Sequence, residues 1–392
     1  MREGCDAAPL RFRPLALTLA CAGSNPAPSF QWRGAPVTPE PEVLFERRGA
    51  AGLITLNRPK ALNALTHAMV QAIDPRLRAW ARDPGVTRVI LKAAGERAFC
   101  AGGDVRQIYD LGRAGRQAEA LAFWREEYVL NHLIGTYPKP FVSLIDGICM
   151  GGGFGLSAHG TYRVGGDRYL FAMPEVNIGL FPDVGGTYVL PRLPKAAGVY
   201  LAFTGNRIKT ADGLHVGLLT HAVPSAGMSA LEEALCAGGA VAEVLAAHAV
   251  DPGPAPILAH EAFIAEAFAS ADVFAVLAAL DAAAGRGGPE ADFARETAAA
   301  LHTKSPTSLA IAAEQMRRGP ALSLGEALKA EFRVVTRVAH GHDFYEGVRA
   351  LLVDKDNTPR WQPPRLADVD PAAIAAHFDP IAEELEFPAG TA

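Results

Sequence analysis

Two hydrophobic periodicities share this chain, and they change over near residue 225. Before that point, short apolar and β-branched runs bounded by glycine or proline recur at 43–47, 53–56, 86–93, 141–145, 162–164 and 169–172, each the length of a strand. Helical spacing fills the gaps at 66–82 and 118–136, and a buried first turn of helix is expected at 154–158, directly after Gly151-Gly152-Gly153. Pro75 falls inside the first helix and is expected to kink or interrupt it. Beyond Val223 the pattern becomes alanine-rich and helical, near 228–249, 257–268 and 273–284, punctuated by Asp251-Pro-Gly-Pro and Gly285-Arg-Gly-Gly-Pro. Ser323 with Glu326 has capping-box spacing before a helix over 327–339, and Asp343 with Glu346 has it before 347–353. The recurring order of strands and helices predicts a wound α/β core over 43–225 and a helical C-terminal region over 226–392.

Residues 1–42 offer no periodicity that a core uses. They carry Arg2, Arg11, Arg13 and Arg33 with no acid between Asp6 and Glu40, and are expected to be a disordered tail; the run 15–22 behind two arginines imitates a targeting segment. At 392 residues and 49% hydrophobic, the chain has enough apolar material for a large core. No apolar run reaches the ~18 residues of a bilayer span, so no membrane partner is expected. A net charge of −5 with dispersed Lys and Arg removes the electrostatic argument for nucleic acid. Five widely spaced cysteines without a CxxC pair argue against a disulfide framework and a zinc knuckle. The expected compartment is cytoplasmic, or the mitochondrial matrix if residues 1–42 act as a transit peptide.

Candidate chemistry gathers between residues 98 and 191. Gly102-Gly103 and Gly151-Gly152-Gly153 each stand at a strand exit before a helix start, where backbone N–H groups approach a ligand closely and the helix end favours an anion. Glu175 and Asp183 are separated by loop-forming Gly179 and Pro182, so two carboxylates project toward one pocket. The plainer alternatives are a simple turn at the glycines and a helix N-cap at Asp183. Cys100 and Cys149 read as small packing residues, and His340 with His342 as a helix boundary with no third ligand for a metal. Lys60, Arg106 and Lys139 read equally as phosphate contacts or as solvated surface charge.

Five motifs then appear in order: LNRPKALNALTHAMV (56–70), AFCAGGD (98–104), GICMGGGFGLS (147–157), MPEVNIGLFPDVGGTYVLPRL (173–193) and GVRALLVDKDNTPRW (347–361). With these, residues 43–364 resemble the enoyl-CoA hydratase/isomerase (crotonase) superfamily, and within it the branch that hydrolyses thioesters. The resemblance implies a crotonase-like spiral of ββα units and an acyl-CoA whose thioester carbonyl lies between the amides of Gly103 and Gly152. It implies Glu175 and Asp183 as catalytic residues, and Asp110, Gly152, Glu175 and Asp183 as substrate-binding. A Glu is commoner at the position matched to Asp110. The superfamily's hydratases carry a catalytic Glu where this chain has Gly155, and Gly where it has Asp183.

The activity implied is hydrolysis of a short-chain 3-hydroxyacyl-CoA, with 3-hydroxyisobutyryl-CoA of valine catabolism foremost. No separate cofactor is expected, since coenzyme A is part of the substrate, and no metal. Glu175 as general base and Glu175 as nucleophile through a mixed anhydride both stay open. An isomerase working with Glu175 alone is the first alternative, for which Asp183 is not required. A catalytically silent CoA-binding protein is the second, against which both glycine loops and both carboxylates occur together. The oligomeric state stays open, a homo-oligomer included.

Overall fold

The computed structural model describes residues 40–388. The expectations for the N-terminal segment, tail and targeting readings alike, lie outside the described residues up to residue 39. From Pro41 on, the described chain forms one compact unit. Among the described residues ten strands make two sheets: β1 (Val43–Arg48), β2 (Ala51–Leu56), β3 (Arg88–Ala93), β4 (Ala98–Cys100), β5 (Phe141–Ile145), β6 (Ile148–Met150), β7 (Tyr162–Gly165), β8 (Leu170–Ala172), β9 (Ile208–Lys209) and β10 (His221–Ala222). The first sheet runs β1-β2-β3-β5-β7-β10, the second β4-β6-β8-β9. Among the described residues only the β1–β2 and β8–β9 pairs are antiparallel.

Each turn of the resulting spiral gives one strand to each sheet, β3 then β4, β5 then β6, β7 then β8, and helical structure follows each pair. Every residue of β5 is buried, as expected for a parallel strand covered on both faces. In the second sheet Cys100 pairs with Cys149 and Met150 with Ala172. This register brings three strand exits side by side, so that Gly102-Gly103, Gly151-Gly152 and Pro174-Glu175 emerge at the C-terminal ends of neighbouring parallel strands. Ligands of wound α/β sheets bind at such ends.

The helical residues beyond 225 share the main core. One buried cluster contains Ile54 and Phe171 together with Leu309, Phe332 and Leu385. The helices Pro306–Arg318 and Leu324–Val338 pack against the turn Glu175–Ile178, the short helix Gly186–Val189 and the long helix Gln117–Gly135.

Three local expectations change. The helix His67–Arg82 runs through Pro75 unbroken; Pro75 lies on its exposed side. Its buried stripe of Met69, Val70, Ile73, Leu77 and Trp80 contributes on the order of 1.5–3 kcal/mol per large side chain, which outweighs the bond lost at the proline. The helix expected over 228–249 is two, Met228–Ala237 and Val241–His248, parted where Gly238 and Gly239 take φ of 121° and 81°. Ser323 and Glu326 form both bonds of a capping box, but Asp343 and Glu346 form none, because other partners take them. Asp343 accepts from the Ser305 hydroxyl (2.6 Å) and the Gln362 amide (2.8 Å), and Glu346 pairs with Arg349.

Candidate active site

The first wall of the site is main chain. Around Gly103 the neighbouring groups are taken, the Leu65 amide donating to the Gly102 carbonyl (2.8 Å) and the Asp104 amide to the Leu65 carbonyl (2.9 Å). Gly152 opens the helix Gly152–Ala158, where a first-turn amide has no intrahelical acceptor. Among the described residues neither the Gly103 nor the Gly152 amide donates to a backbone carbonyl outside its own element. The two are adjacent: a Cβ on Gly152 would lie 3.2 Å from the Gly103 nitrogen. A side chain there would close the gap between two free donors.

The second wall is carboxyl groups. Glu175 begins the turn after β8, is 5% exposed, and has an Oε2 with no partner. Its Oε1 rests against Gly151, where a Cβ would come within 2.9 Å. Asp183 is 4% exposed and accepts from the Tyr128 hydroxyl at 2.7 Å. Tyr128 projects from the helix Gln117–Gly135, and so does its neighbour Glu127, buried, with an unpartnered Oε1 against Gly152. Gly103, Gly152, Glu127, Glu175 and Asp183 line one cavity of about 180 Å³, closed by apolar Phe123, Trp124, Leu180, Leu351 and Leu352. A larger recess of about 540 Å³ around Val70, Arg78 and Glu384 is a surface feature in which Arg78 is already paired with Asp74 at 2.6 Å.

Burial and mutual repulsion raise these acids. Glu175 is pushed well above the usual carboxylate range by burial first and the Asp183 charge second. Burial pushes Asp183 up to about 7, against the stabilising Tyr128 hydroxyl. Glu127 is pushed well up by burial and then by the charges of Asp183, Glu175 and Glu331. Carboxyl groups poised this way, beside two fixed amide donors, suit proton transfer or attack at a carbonyl that gains negative charge.

A family model described as Enoyl-CoA hydratase/isomerase matches residues 51–378. The chain belongs to this enoyl-CoA hydratase/isomerase family. It is similar to the proteins named 3-hydroxyisobutyryl-CoA hydrolase, mitochondrial, of Xenopus tropicalis (46% identical, covering 86% of this chain and 88% of that one) and Danio rerio (45%, 87% and 90%). Among solved structures it is similar to one titled a carnitinyl-CoA dehydratase from Mycobacterium thermoresistibile, with a TM-score of 0.83, 44% identity, and coverage of 89% of this chain and 99% of that one.

Position 155, where the resemblance implies an acid in hydratases, has no room here for a side chain. A Cβ on Gly155 would lie 2.7 Å from the Val184 Cβ and 2.8 Å from the Asn131 amide nitrogen. The space such an acid would need is filled by the side chains of Val184 and Asn131. Asp183 does not cap a helix through its side chain; it faces the cavity and Tyr128.

Asp110, expected at the substrate, does not line this cavity. It stands on the helix Val105–Arg113 with its side chain 57% exposed, paired with Arg106 one turn away at 3.1 Å. The carboxyl that the fold does bring in from this part of the chain is Glu127. Sequence reading passed over it because Glu126-Glu127 looks like solvated helix surface; the available signal was its place among Phe123, Trp124 and Leu130 on a helix apolar nearly all round. Glu331 and Gln315 were missed for the same reason.

The lesser candidates fall outside the cavity's chemistry. Burial pushes the Cys100 and Cys149 thiols up to about 12. Lys139 is held by the Trp80 and Asp83 carbonyls, and His340 by the Thr336 carbonyl (2.8 Å). Among the described residues no group of three or more His, Cys, Asp or Glu side chains is arranged to hold a metal ion.

Proposed function

We propose that this chain hydrolyses the thioester of a short-chain 3-hydroxyacyl-CoA, with 3-hydroxyisobutyryl-CoA its principal substrate and 3-hydroxyisobutyrate and CoA its products. The observation that carries the reading is the filled space at Gly155 opposite a present Asp183: hydration through acids at positions 155 and 175 lacks the first of them, while hydrolysis keeps all it needs. The thioester oxygen accepts from the Gly103 and Gly152 amides, each such donor lowering the barrier by about 2.7–4 kcal/mol. Glu175, ionised, promotes attack on the carbonyl carbon: as base it takes a proton from the attacking water and passes it to the thiolate as the C–S bond breaks, or as nucleophile it displaces the thiolate to form a mixed anhydride, which water then hydrolyses to free Glu175, the proton of that water going to the thiolate. Asp183 accepts from the 3-hydroxyl, and Glu127 supplies the third polar contact in the acyl pocket. Coenzyme A enters as part of the substrate, and no cofactor is required.

The curated relatives named as hydrolases support this reading, and the dehydratase title of a solved relative makes hydration the alternative to test. Purified protein is offered a panel of acyl-CoAs while free thiol and enoyl absorbance are followed together. Thiol release from 3-hydroxyisobutyryl-CoA with negligible crotonyl-CoA hydration is expected. Rapid crotonyl-CoA hydration without thiol release would move the assignment to a hydratase.

A further inference from the structure

The segment that presents Asp183 follows a path its own residues disfavour. Val184 has φ of 51° and Gly185 of 88°, both in the left-handed region, which a β-branched residue adopts only when its surroundings impose it. The buried Gln315 and Glu331 and the half-buried His159 do so. Gln315, on the helix Pro306–Arg318, donates to the Pro182 carbonyl at 2.8 Å and to the Thr187 hydroxyl at 2.7 Å. His159 donates from Nε2 to the Val184 carbonyl at 2.8 Å, a carbonyl being an acceptor only. Glu331, on the helix Leu324–Val338 and 0% exposed, accepts the Gly185 amide on one oxygen and the Thr187 amide on the other, each at 2.8 Å.

A carboxyl is a costly choice for this task. The four-residue helix Gly186–Val189 needs only a neutral cap, yet it receives an acid in a dry core, near the charge of Asp183. Burial pushes Glu331 up to about 8 while the two amides hold it down. The two bonds belong to the ionised form: a carboxylate offers, as Ser, Thr or Asn does not, two equivalent acceptors for two amides at once, which fixes both position and rotation of the turn between them.

We propose that Glu331 is a positioning residue for Asp183: by accepting both amides of the left-handed turn it sets the direction in which the Asp183 carboxylate meets the acyl group, with Gln315 and His159 as the accompanying holds. This rests on the reading of Asp183 as the acceptor of the 3-hydroxyl. The C-terminal helical region is thereby part of the specificity machinery.

The test compares thiol release from 3-hydroxyisobutyryl-CoA and isobutyryl-CoA by wild type, Asp183→Asn, Glu331→Gln and the double variant. Glu331→Gln keeps the size of the side chain and turns one acceptor into a donor. It is expected to lower kcat/KM for the hydroxylated substrate by about 10- to 100-fold, the range of a misplacement near 1 Å, and that for isobutyryl-CoA by less than about threefold, so the preference falls. In the Asp183→Asn background Glu331→Gln should leave the preference where it is, since its effect passes through Asp183. Equal loss on both substrates, or a further fall in that background, overturns the proposal. If neither Asp183→Asn nor Asp183→Ala, which removes the acceptor altogether, lowers the wild-type preference, the reading of Asp183 fails and the proposal with it; if only Glu331→Gln keeps it, the positioning role alone fails. Should Glu331→Gln not fold, Gln315→Leu, which frees the same turn at Pro182 and Thr187, decides: a lowered preference supports the proposal, an unchanged one overturns it.

Discussion

One wall of the cavity, at the ends of β4 and β6, presents main-chain amides that Gly103 and Gly152 leave uncovered; the other presents Glu175, Asp183 and Glu127, drawn from a strand exit, a left-handed turn and a buried helix. Amide dipoles are neutral and stay in a dry site at little cost, and neighbouring peptide planes fix their direction. Carboxyl groups crowded together raise one another's pKa and have to be held by tertiary bonds, such as Tyr128 to Asp183. The amide wall is therefore rigid and indifferent to pH, whereas the acid wall is adjustable, pH-sensitive and destabilising to the fold.

The largest expected effect lies on the acid wall. Glu175→Gln should lower thiol release by about a thousandfold while leaving affinity for acyl-CoA nearly intact, because the Gly103 and Gly152 amides survive the change. Single-turnover rates beside calorimetric binding test this; a parallel loss of binding would mean Glu175 holds substrate instead of acting on it. In the native protein the acid limb of the kcat/KM profile should lie above the ordinary carboxylate range, since Glu175 must ionise to act and its pKa is raised.

On the amide wall, Gly152→Ala adds a Cβ 2.7 Å from Glu127 Oε1 and 3.2 Å from the Gly103 nitrogen. The backbone neighbour cannot move aside as a side-chain end can, so turnover should fall about a hundredfold, with a pH profile of unchanged shape. A profile that shifts instead would show that the two walls are not independent.

Asp183→Asn should act on stability in a pH-dependent way. The folded value near 7 against an ordinary 3.8 means that the folded protein keeps a proton the unfolded chain has lost, so stability falls as pH rises from 3.8 to about 7. Removing the acid should stabilise the protein at pH 8, on the order of a few kcal/mol, and the gain should vanish at pH 3. Urea melts at the two pH values decide; the same difference at both would show that Asp183 is not electrostatically strained.

The smallest effect is expected outside both walls. Asp110→Asn touches an exposed ion pair and should change kcat/KM by less than about twofold. A loss above tenfold would restore Asp110 to the substrate's path and extend the acid wall onto the helix Val105–Arg113.

What the sequence by itself determined was local. The apolar runs that became β3, β5 and β8, the glycine pairs at their neighbours' exits, and Glu175 after Met-Pro are contiguous signals, each readable within about ten residues. The packed-out position 155 was legible only as a missing acid. Tertiary structure decided the rest. It took Glu127 and Tyr128 from what reads as ordinary helix and turned them inward, left Asp110 on the surface, and brought Gln315 and Glu331 across more than a hundred residues to grip the turn at Asp183. The physical reason is that a backbone donor is specified by its own peptide and its immediate turn. A buried carboxyl is specified by the distant groups that desolvate it, repel it and bond to it, and no short stretch of chain contains them.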